Sequence, residues 1–369
     1  MEASLQLGKI MGIPVRLHWS FLVVVLYVAW AFSSVSEPIF GRAYGFGAVE
    51  PLTLRWAYSF FFAILLFVCV AVHELGHSYV AKSYGIGIKS ITLYFFGGVA
   101  SMEEIPRDPK MELKMALVGP LVSGALGFSS ILLYLPLSAD PKHPVPILLW
   151  TLGLINLILM TFNLLPAFPM DGGRVLRAWF ATRMPYVVAT RRAANVGKMF
   201  AIFLGILGLF SFNFILLFIA FFIYIGASEE EKATTIDISL EGIKVRNIMS
   251  TNVRTITTDL TLRQLMELMF KEKHRGYPVI SDGGLQGIIT LTDLQKIPDS
   301  QREVTYVHQV MTPNLYVIGP EEEASTAMKM MSERGVRRLP VMQNGELVGI
   351  VSREDLVRAI ELCSSRTSF

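Results

Sequence analysis

His73-Glu74-Leu75-Gly76-His77 is the segment of this chain best equipped for chemistry. On an α-helix each residue advances about 100°, so His77 falls about 40° from His73, one turn along and on the same face. Both imidazoles can therefore reach one metal ion. Glu74 falls about 100° from His73 and is offset from the pair, where its carboxylate can hold a water rather than bind the ion. That division of roles is the one an H-E-x-x-H carries in metal-assisted peptide hydrolysis. The residues before it, Phe60 to Val72, are continuously apolar. Ionisable groups at membrane depth cost roughly 2.5–3.5 kcal/mol each on insertion scales, so a polar cluster here marks function more strongly than on a soluble helix.

A catalytic zinc takes three protein ligands and keeps a fourth position for water, so a third ligand must come from elsewhere. Asp171 is the leading candidate, in Phe162-Asn163-Leu164-Leu165-Pro166-Ala167-Phe168-Pro169-Met170-Asp171-Gly172-Gly173. Pro166 and Pro169 interrupt helical hydrogen bonding, and Gly172-Gly173 permits a tight turn after the carboxylate. Asp171 also reads as an N-cap for the next helix. Cys69, four residues before His73 and on its face, competes as third ligand, although a cysteine in an apolar helix usually only packs. His18 opens an apolar run as an interfacial residue, and His143, His274 and His308 have no partner at metal-ligand spacing.

The elements that must carry these groups follow from composition. The 369-residue chain is 52% hydrophobic and 17% charged, with a mean hydropathy of +0.49. Ordinary soluble proteins carry about 25% charged residues. The apolar excess lies in residues 1–227, whereas 228–369 read as a soluble domain, with a boundary near Ser228-Glu229-Glu230-Glu231-Lys232. Apolar runs at about 17–35, 56–81, 112–135, 146–165, 193–210 and 212–227 read as six membrane spans. The last two are divided at Ser211-Phe212-Asn213, because about 35 residues overshoot one bilayer. Lys9 and Arg16 precede the first run as in a signal peptide, but no small-residue cleavage site follows, so the run is expected to be retained. With the N-terminus inside, the inner loops hold Lys82, Lys89, Arg107, Lys110, Arg174, Arg177, Arg183, Arg191 and Arg192, and the outer loops Arg42, Arg55 and Lys142. That bias follows the positive-inside rule. The expectation is a multi-pass protein of the cell membrane with both termini cytoplasmic. The net charge of +3 offers no footing for nucleic acid, and Cys69 and Cys363, in different regions, imply no disulfide framework.

H-E-x-x-H on the second run, followed on the fourth by Asn163-x-x-Pro166-x-x-Pro169-x-Asp171-Gly172, resembles the site-2 protease family of intramembrane metalloproteases. Gly119-Pro120 early in the third run adds to the likeness, which covers most of residues 1–227. The resemblance implies a zinc-dependent endopeptidase that cuts membrane-protein substrates within or near their transmembrane segments. It implies His73, His77 and Asp171 as ligands of one zinc ion, Glu74 as general base and acid, and Asn163 as a group that positions substrate or contacts the oxyanion. Asn163 also reads as a polar residue bonding backbone freed by Pro166. A helical substrate hides its peptide bonds. The β-rich segment 88–102, with Gly97-Gly98, is therefore read either as an edge strand for an unwound substrate or as a hairpin packed under the site.

The soluble part repeats itself. Val245/Val307, Met249/Met311, Pro278/Pro340, Gly287/Gly349 and Asp293/Asp355 all stand 62 positions apart. Each copy reads as strand, helix, strand, strand, helix, and such units pack together. Residues 243–362 resemble a CBS-domain pair. The expected fold is thus a polytopic α-helical membrane protein of about six spans followed by a cytoplasmic α/β tandem CBS pair, with domains at 1–232, 243–301 and 305–369. The resemblance implies an adenine nucleotide or related ligand between the repeats and a homodimer formed through them. Thr290 with Asp293, and Ser352 with Asp355, match the S/T-x-x-D pattern in which Asp contacts ribose hydroxyls; the same residues make ordinary helix N-caps. A CBS-regulated transporter or channel is the alternative from another class, and the HELGH plus Asn163–Asp171 constellation favours the protease.

Overall fold

The computed structural model describes residues 4–95, 97–102, 106–140, 143–281 and 283–364. Phe96 of the β-rich segment, Lys142 of an outer loop, the Cys363 side chain and residues 365–369 of the second repeat lie outside the described residues. The chain divides into two units, Met1–Lys232 and Ala233–Phe369.

The first unit opens with a hairpin that the sequence reading left unassigned, β1 (Ser4–Ile10) and β2 (Ile13–His18). Met11 and Gly12 close it at φ 55° and 82°, a left-handed pair that Gly12 adopts without steric cost. Ile13 and Val15 alternate inward and are buried, the period of a half-buried strand. Next come α1 (Ser20–Ser34), the short strands β3 (Pro38–Ile39) and β4 (Arg42–Ala43), α2 (Leu52–Ser83), β5 (Ile88–Tyr94) and β6 (Gly97–Met102). After them run α3 (Pro109–Tyr134), α4 (Pro144–Asn163), α5 (Asp171–Ala181), α6 (Tyr186–Phe210) and α7 (Phe214–Leu240). The sheet order is β1-β2-β5-β6, with β2 and β5 parallel, so β5 is internal and β6 forms an edge.

Among the described residues, four helices are long and apolar enough to cross a membrane: α2, α3 with its short extension to Leu137, α4 and α6. The fold therefore supports a membrane protein, with four of the six expected spans meeting this criterion. Helix α1 has 15 residues, short of the roughly 20 needed. Helix α7 is apolar only to Ala227 before Glu229, Glu230 and Glu231 follow. Helix α6 ends at Phe210 and α7 begins at Phe214, with Phe212 at φ 50° in the break. Large apolar side chains such as Trp30, Phe203, Phe210 and Phe218 are exposed, as on lipid-facing helices. Inside, small residues let helices approach: a Cβ on Gly127 of α3 would lie 3.0 Å from the Gly153 carbonyl of α4.

The second unit contains β7 (Ile256–Thr257), α8 (Leu262–Glu272), β8 (Gly276–Ser281), β9 (Gly284–Thr290) and α9 (Leu291–Gln295), then α10 (Val307–Val310), α11 (Ala324–Arg334), β10 (Arg338–Gln343), β11 (Glu346–Ser352) and α12 (Arg353–Ser364). The first copy has the expected strand-helix-strand-strand-helix order. In the second, the leading strand shrinks to a single bridge between Ile318 and Val341. The copies also exchange their leading segments. Ser250 bridges to Ile350, and Thr312 to Ile288. Val245 is buried in the core of the second copy and Val307 in that of the first. The repeated methionines and glycines are explained by this exchange: a Cβ on Gly349 would lie 2.5 Å from Met249 Sδ, and one on Gly287 2.7 Å from Met311 Sδ.

Candidate metal centre

Helix α2 carries His73 and His77 one turn apart, both buried, with ring planes at 75° and Nε2 atoms 3.1 Å from each other. The third corner is Asp171, whose Oδ2 lies 3.3 Å from His73 Nε2 and 3.2 Å from His77 Nε2. Tetrahedral bonds of about 2.0–2.1 Å place ligand atoms about 3.3–3.4 Å apart, so the triangle has the size for zinc and leaves one side open. Among the described residues this is the group of His, Cys, Asp and Glu side chains with metal-holding geometry. Cys69 is elsewhere, packed with Phe46, Phe62, Leu148 and Leu152.

Helix α3 sets the orientation of both imidazoles. His77 Nδ1 donates to the Met115 carbonyl at 2.7 Å, which leaves the Nε2 lone pair facing the site. His73 Nδ1 lies 2.9 Å from Ser123 Oγ, the equivalent support one helical stretch further on. Between them, Gly119 brings bare backbone to the ligands. A Cβ there would lie 2.2 Å from His77 Nε2 and 2.7 Å from His73 Nε2, in the space an ion would take. Two imidazoles, one carboxylate, a His77 tautomer set by a backbone carbonyl and a cradle that a methyl group would fill all fit zinc.

Asp171 is the first residue of α5, and Met170 takes the N-cap position without a side-chain hydrogen bond. The N-cap reading of Asp171 is thereby corrected: its carboxylate turns to the histidines, and the helix N-terminus favours its negative charge. Gly172 and Gly173 do not form a turn either. They lie in the first turn of α5, where a Cβ on Gly172 would meet the Leu165 carbonyl at 2.2 Å and one on Gly173 would meet Phe168 N at 2.6 Å. The glycines allow α5 to press against the chain that leads into it.

Glu74 is half-buried on α2, beside the ligands. Edge strand β6 crosses it so closely that a Cβ on Gly98 would lie 2.5 Å from Glu74 Cγ. Asn163, also half-buried, ends α4 and donates from Nδ2 to the Leu159 carbonyl at 3.0 Å. That carbonyl is in its own helix, one turn back, and is not the one Pro166 frees. His18 ends β2, with Nδ1 2.8 Å from Ser20 Oγ, away from the metal group. Gly119 entered the sequence analysis only as part of the family likeness, and the supporting roles of Met115 and Ser123 were not foreseen; Met115 acts through its backbone carbonyl, which no side-chain pattern marks.

In the second unit, Asp293 Oδ2 accepts from Thr290 N at 3.1 Å and from Thr290 Oγ1 at 2.6 Å. Asp355 Oδ2 accepts from Ser352 N at 2.9 Å and from Ser352 Oγ at 2.5 Å. All four residues are half-buried, and each pair caps the final helix of its copy.

Apolar helices around a two-histidine, one-carboxylate site with a free glutamate define a membrane-embedded type of metalloprotease. The family model for peptidase family M50 matches residues 61–139 and 138–207, and that for the CBS domain matches 245–299 and 307–362. The chain is 37% identical over 362 residues to zinc metalloprotease MJ0392 of Methanocaldococcus jannaschii, spanning 98% of this chain and 97% of that protein. It is 31% identical over 377 residues to Rip3 of Mycobacterium tuberculosis, spanning 98% and 94%. A solved site-2 protease structure from Methanocaldococcus jannaschii matches 62% of this chain and 95% of its own at 42% identity, with a TM-score of 0.42. The chain belongs to the M50, or site-2 protease, family of zinc metalloproteases and carries tandem CBS domains. That membership decides for the protease over the transporter or channel.

Proposed function

We propose that the protein cuts membrane-protein substrates within or near their transmembrane segments, with His73, His77 and Asp171 holding one zinc ion. The observation that carries this reading is the ligand triangle with edges of 3.1–3.3 Å, built on a helix apolar enough to cross a membrane. When bound, zinc supplies Lewis acidity and makes water a nucleophile at neutral pH. Glu74 takes the proton from the attacking water and hands it to the departing amine. Asn163 has two amide N–H groups; one serves Leu159, and the other is free to donate to the developing oxyanion. Strand β6 offers its open edge to an unwound substrate beside Glu74. Elemental analysis and a cleavage assay test the assignment together. Glu74→Gln is expected to keep one zinc per chain and lose cleavage by orders of magnitude, whereas His73→Ala with Asp171→Ala loses the zinc. Zinc retained in the double variant removes the ligand assignment, and full activity in Glu74→Gln removes the base.

The CBS pair is read as a sensor of an adenine nucleotide that biases proteolysis. Support comes from Thr290–Asp293 and Ser352–Asp355, which match the S/T-x-x-D pattern; the cap occupies Oδ2 of each aspartate, and Lys296 Nζ donates to Asp293 Oδ1 at 3.0 Å. A ligand that favours one arrangement of the repeats shifts their equilibrium by its differential affinity, and coupling of about 1–3 kcal/mol changes substrate access or affinity about 5–150-fold. Cleavage by the full-length protein with ATP, ADP or AMP, compared with Asp293→Ala and Asp355→Ala, is expected to show nucleotide dependence that the variants flatten. Nucleotide-independent cleavage leaves the pair as an assembly element.

A further inference from the structure

We propose that Arg177 is a positioning residue for the metal centre, fastening α5 to α3 and α7 so that Asp171 meets the two histidines. The inference rests on the zinc-ligand assignment above.

Arg177 lies on α5, six positions after Asp171, and is 6% exposed. Its Nε donates to Glu112 Oε1 on α3 at 2.8 Å, and its Nη2 reaches the same oxygen at 2.6 Å. Its Nη1 donates to Glu230 Oε1 on α7 at 2.5 Å. The guanidinium carbon stands 5.0 Å from the ring centres of both Phe168, in the segment leading to α5, and Tyr186, the first residue of α6. One buried side chain therefore reaches α3, α6, α7 and the segment leading into α5.

The anchor on α3 is placed tellingly. At about 100° per residue, Glu112, Gly119 and Ser123 fall within about 20° of one stripe of that helix. Ser123 supports His73, Gly119 faces both Nε2 atoms, and Met115, one turn after Glu112, supports His77. The helix that fixes the histidines is thus also the helix to which Arg177 fastens the carboxylate. Helix α5 also packs Leu176 and Phe180 against Phe168, Ala193, Ala194 and Ala227, but apolar contacts set direction less tightly than the charged hydrogen bonds of Arg177. The helix has 11 residues, too few to be stable alone, and no side-chain N-cap, and it follows a segment with two prolines.

Stability alone does not account for the trio. Buried ion pairs replaced by apolar residues of similar volume are often neutral or stabilising, while removing one partner is costly. A planar fork that serves two carboxylates at once suits fixed geometry, and a lysine cannot reproduce it.

The double variant E112M/R177M separates the roles, because it removes the buried pair together and leaves only Glu230, whose side chain is 34% exposed and open to water. The full-length protein in detergent is measured for unfolding temperature, for the rate of zinc release to a chelator, and for kcat and KM. The expected result is a wild-type unfolding temperature, zinc release faster by about tenfold or more, and a lower kcat at unchanged KM. R177K, which keeps the charge but loses the fork, is expected to be folded and to release zinc at an intermediate rate; it carries the test if the double variant does not fold. Wild-type zinc release and kcat in folded R177K or E112M/R177M overturn the positioning role. Wild-type protein that holds no zinc instead overturns the ligand assignment on which it rests.

Discussion

Replacing Gly119 by alanine tests the metal centre at the point where backbone and ligands come closest. The new Cβ would stand 2.2 Å from His77 Nε2, 2.5 Å from His77 Cε1 and 2.7 Å from His73 Nε2. For contact to become ordinary, at 3.4 Å, His77 Nε2 must retreat by about 1.2 Å, whereas metal–ligand distances are held to about 0.2 Å. The methyl group also stands where an ion bonded to both nitrogens would be. Zinc affinity should therefore fall by at least about a hundredfold, the upper end of what loss of ligand support costs. Helix propensity works the other way: alanine is favoured over glycine in a helix interior by about 1 kcal/mol, so loss of zinc should not reflect a weaker α3. Gly205→Ala on α6 is the matched control, because its Cβ would meet Ala220 Cβ at 3.7 Å, an ordinary contact. Zinc per chain, measured after dialysis against buffered zinc, should be near one in Gly205→Ala and near zero in Gly119→Ala, with cleavage following. Full zinc and unchanged cleavage in Gly119→Ala would refute the placement of the ion between α2, α3 and Asp171.

Gly98→Ala should retain zinc and lower kcat about a hundredfold, because its Cβ at 2.5 Å from Glu74 Cγ forces the carboxylate aside; wild-type turnover would show that β6 does not constrain Glu74. Burial works to raise the Asp293 carboxyl, but hydrogen bonds from Thr290 and Lys296 outweigh it and hold the group below its ordinary value. The cap's contribution is thus present above about pH 4 and is lost as pH falls through the lower folded value, so Asp293→Ala should cost about 0.5 kcal/mol near neutrality and less in acid. Urea unfolding across pH checks this, and a loss of equal size at every pH contradicts it. A reporter fused after Phe369 should register as cytoplasmic and one inserted near Asp140 as external. The reverse outcome moves the metal site to the other membrane face.

What the sequence determined by itself was mostly local. Helix periodicity puts His73 and His77 on one face whatever surrounds them, and the HELGH segment needs no partner to reveal it. The 62-residue repeat was equally plain, because the same buried and turn positions recur in each copy. The break at Ser211–Asn213 was legible from bilayer thickness alone. Tertiary structure decided the rest. Asp171 was a candidate by composition and side of the membrane, but only packing brings its Oδ2 to 3.2–3.3 Å from both histidines and leaves Cys69 apart. The β1–β2 hairpin was missed beside stronger hydropathy signals, although Gly12 and the alternation of Ile13 and Val15 mark it. The roles of Gly119, Gly98 and Gly172 were invisible, since a glycine's sequence does not say which backbone or side chain will approach it. The repeats' period did not show that Val245 and Val307 exchange cores, because a linear comparison aligns equivalent residues without saying which copy buries them. Glu112 was not singled out in the sequence, and its pairing with Arg177 depends on how α3 and α5 cross, which long-range packing alone fixes.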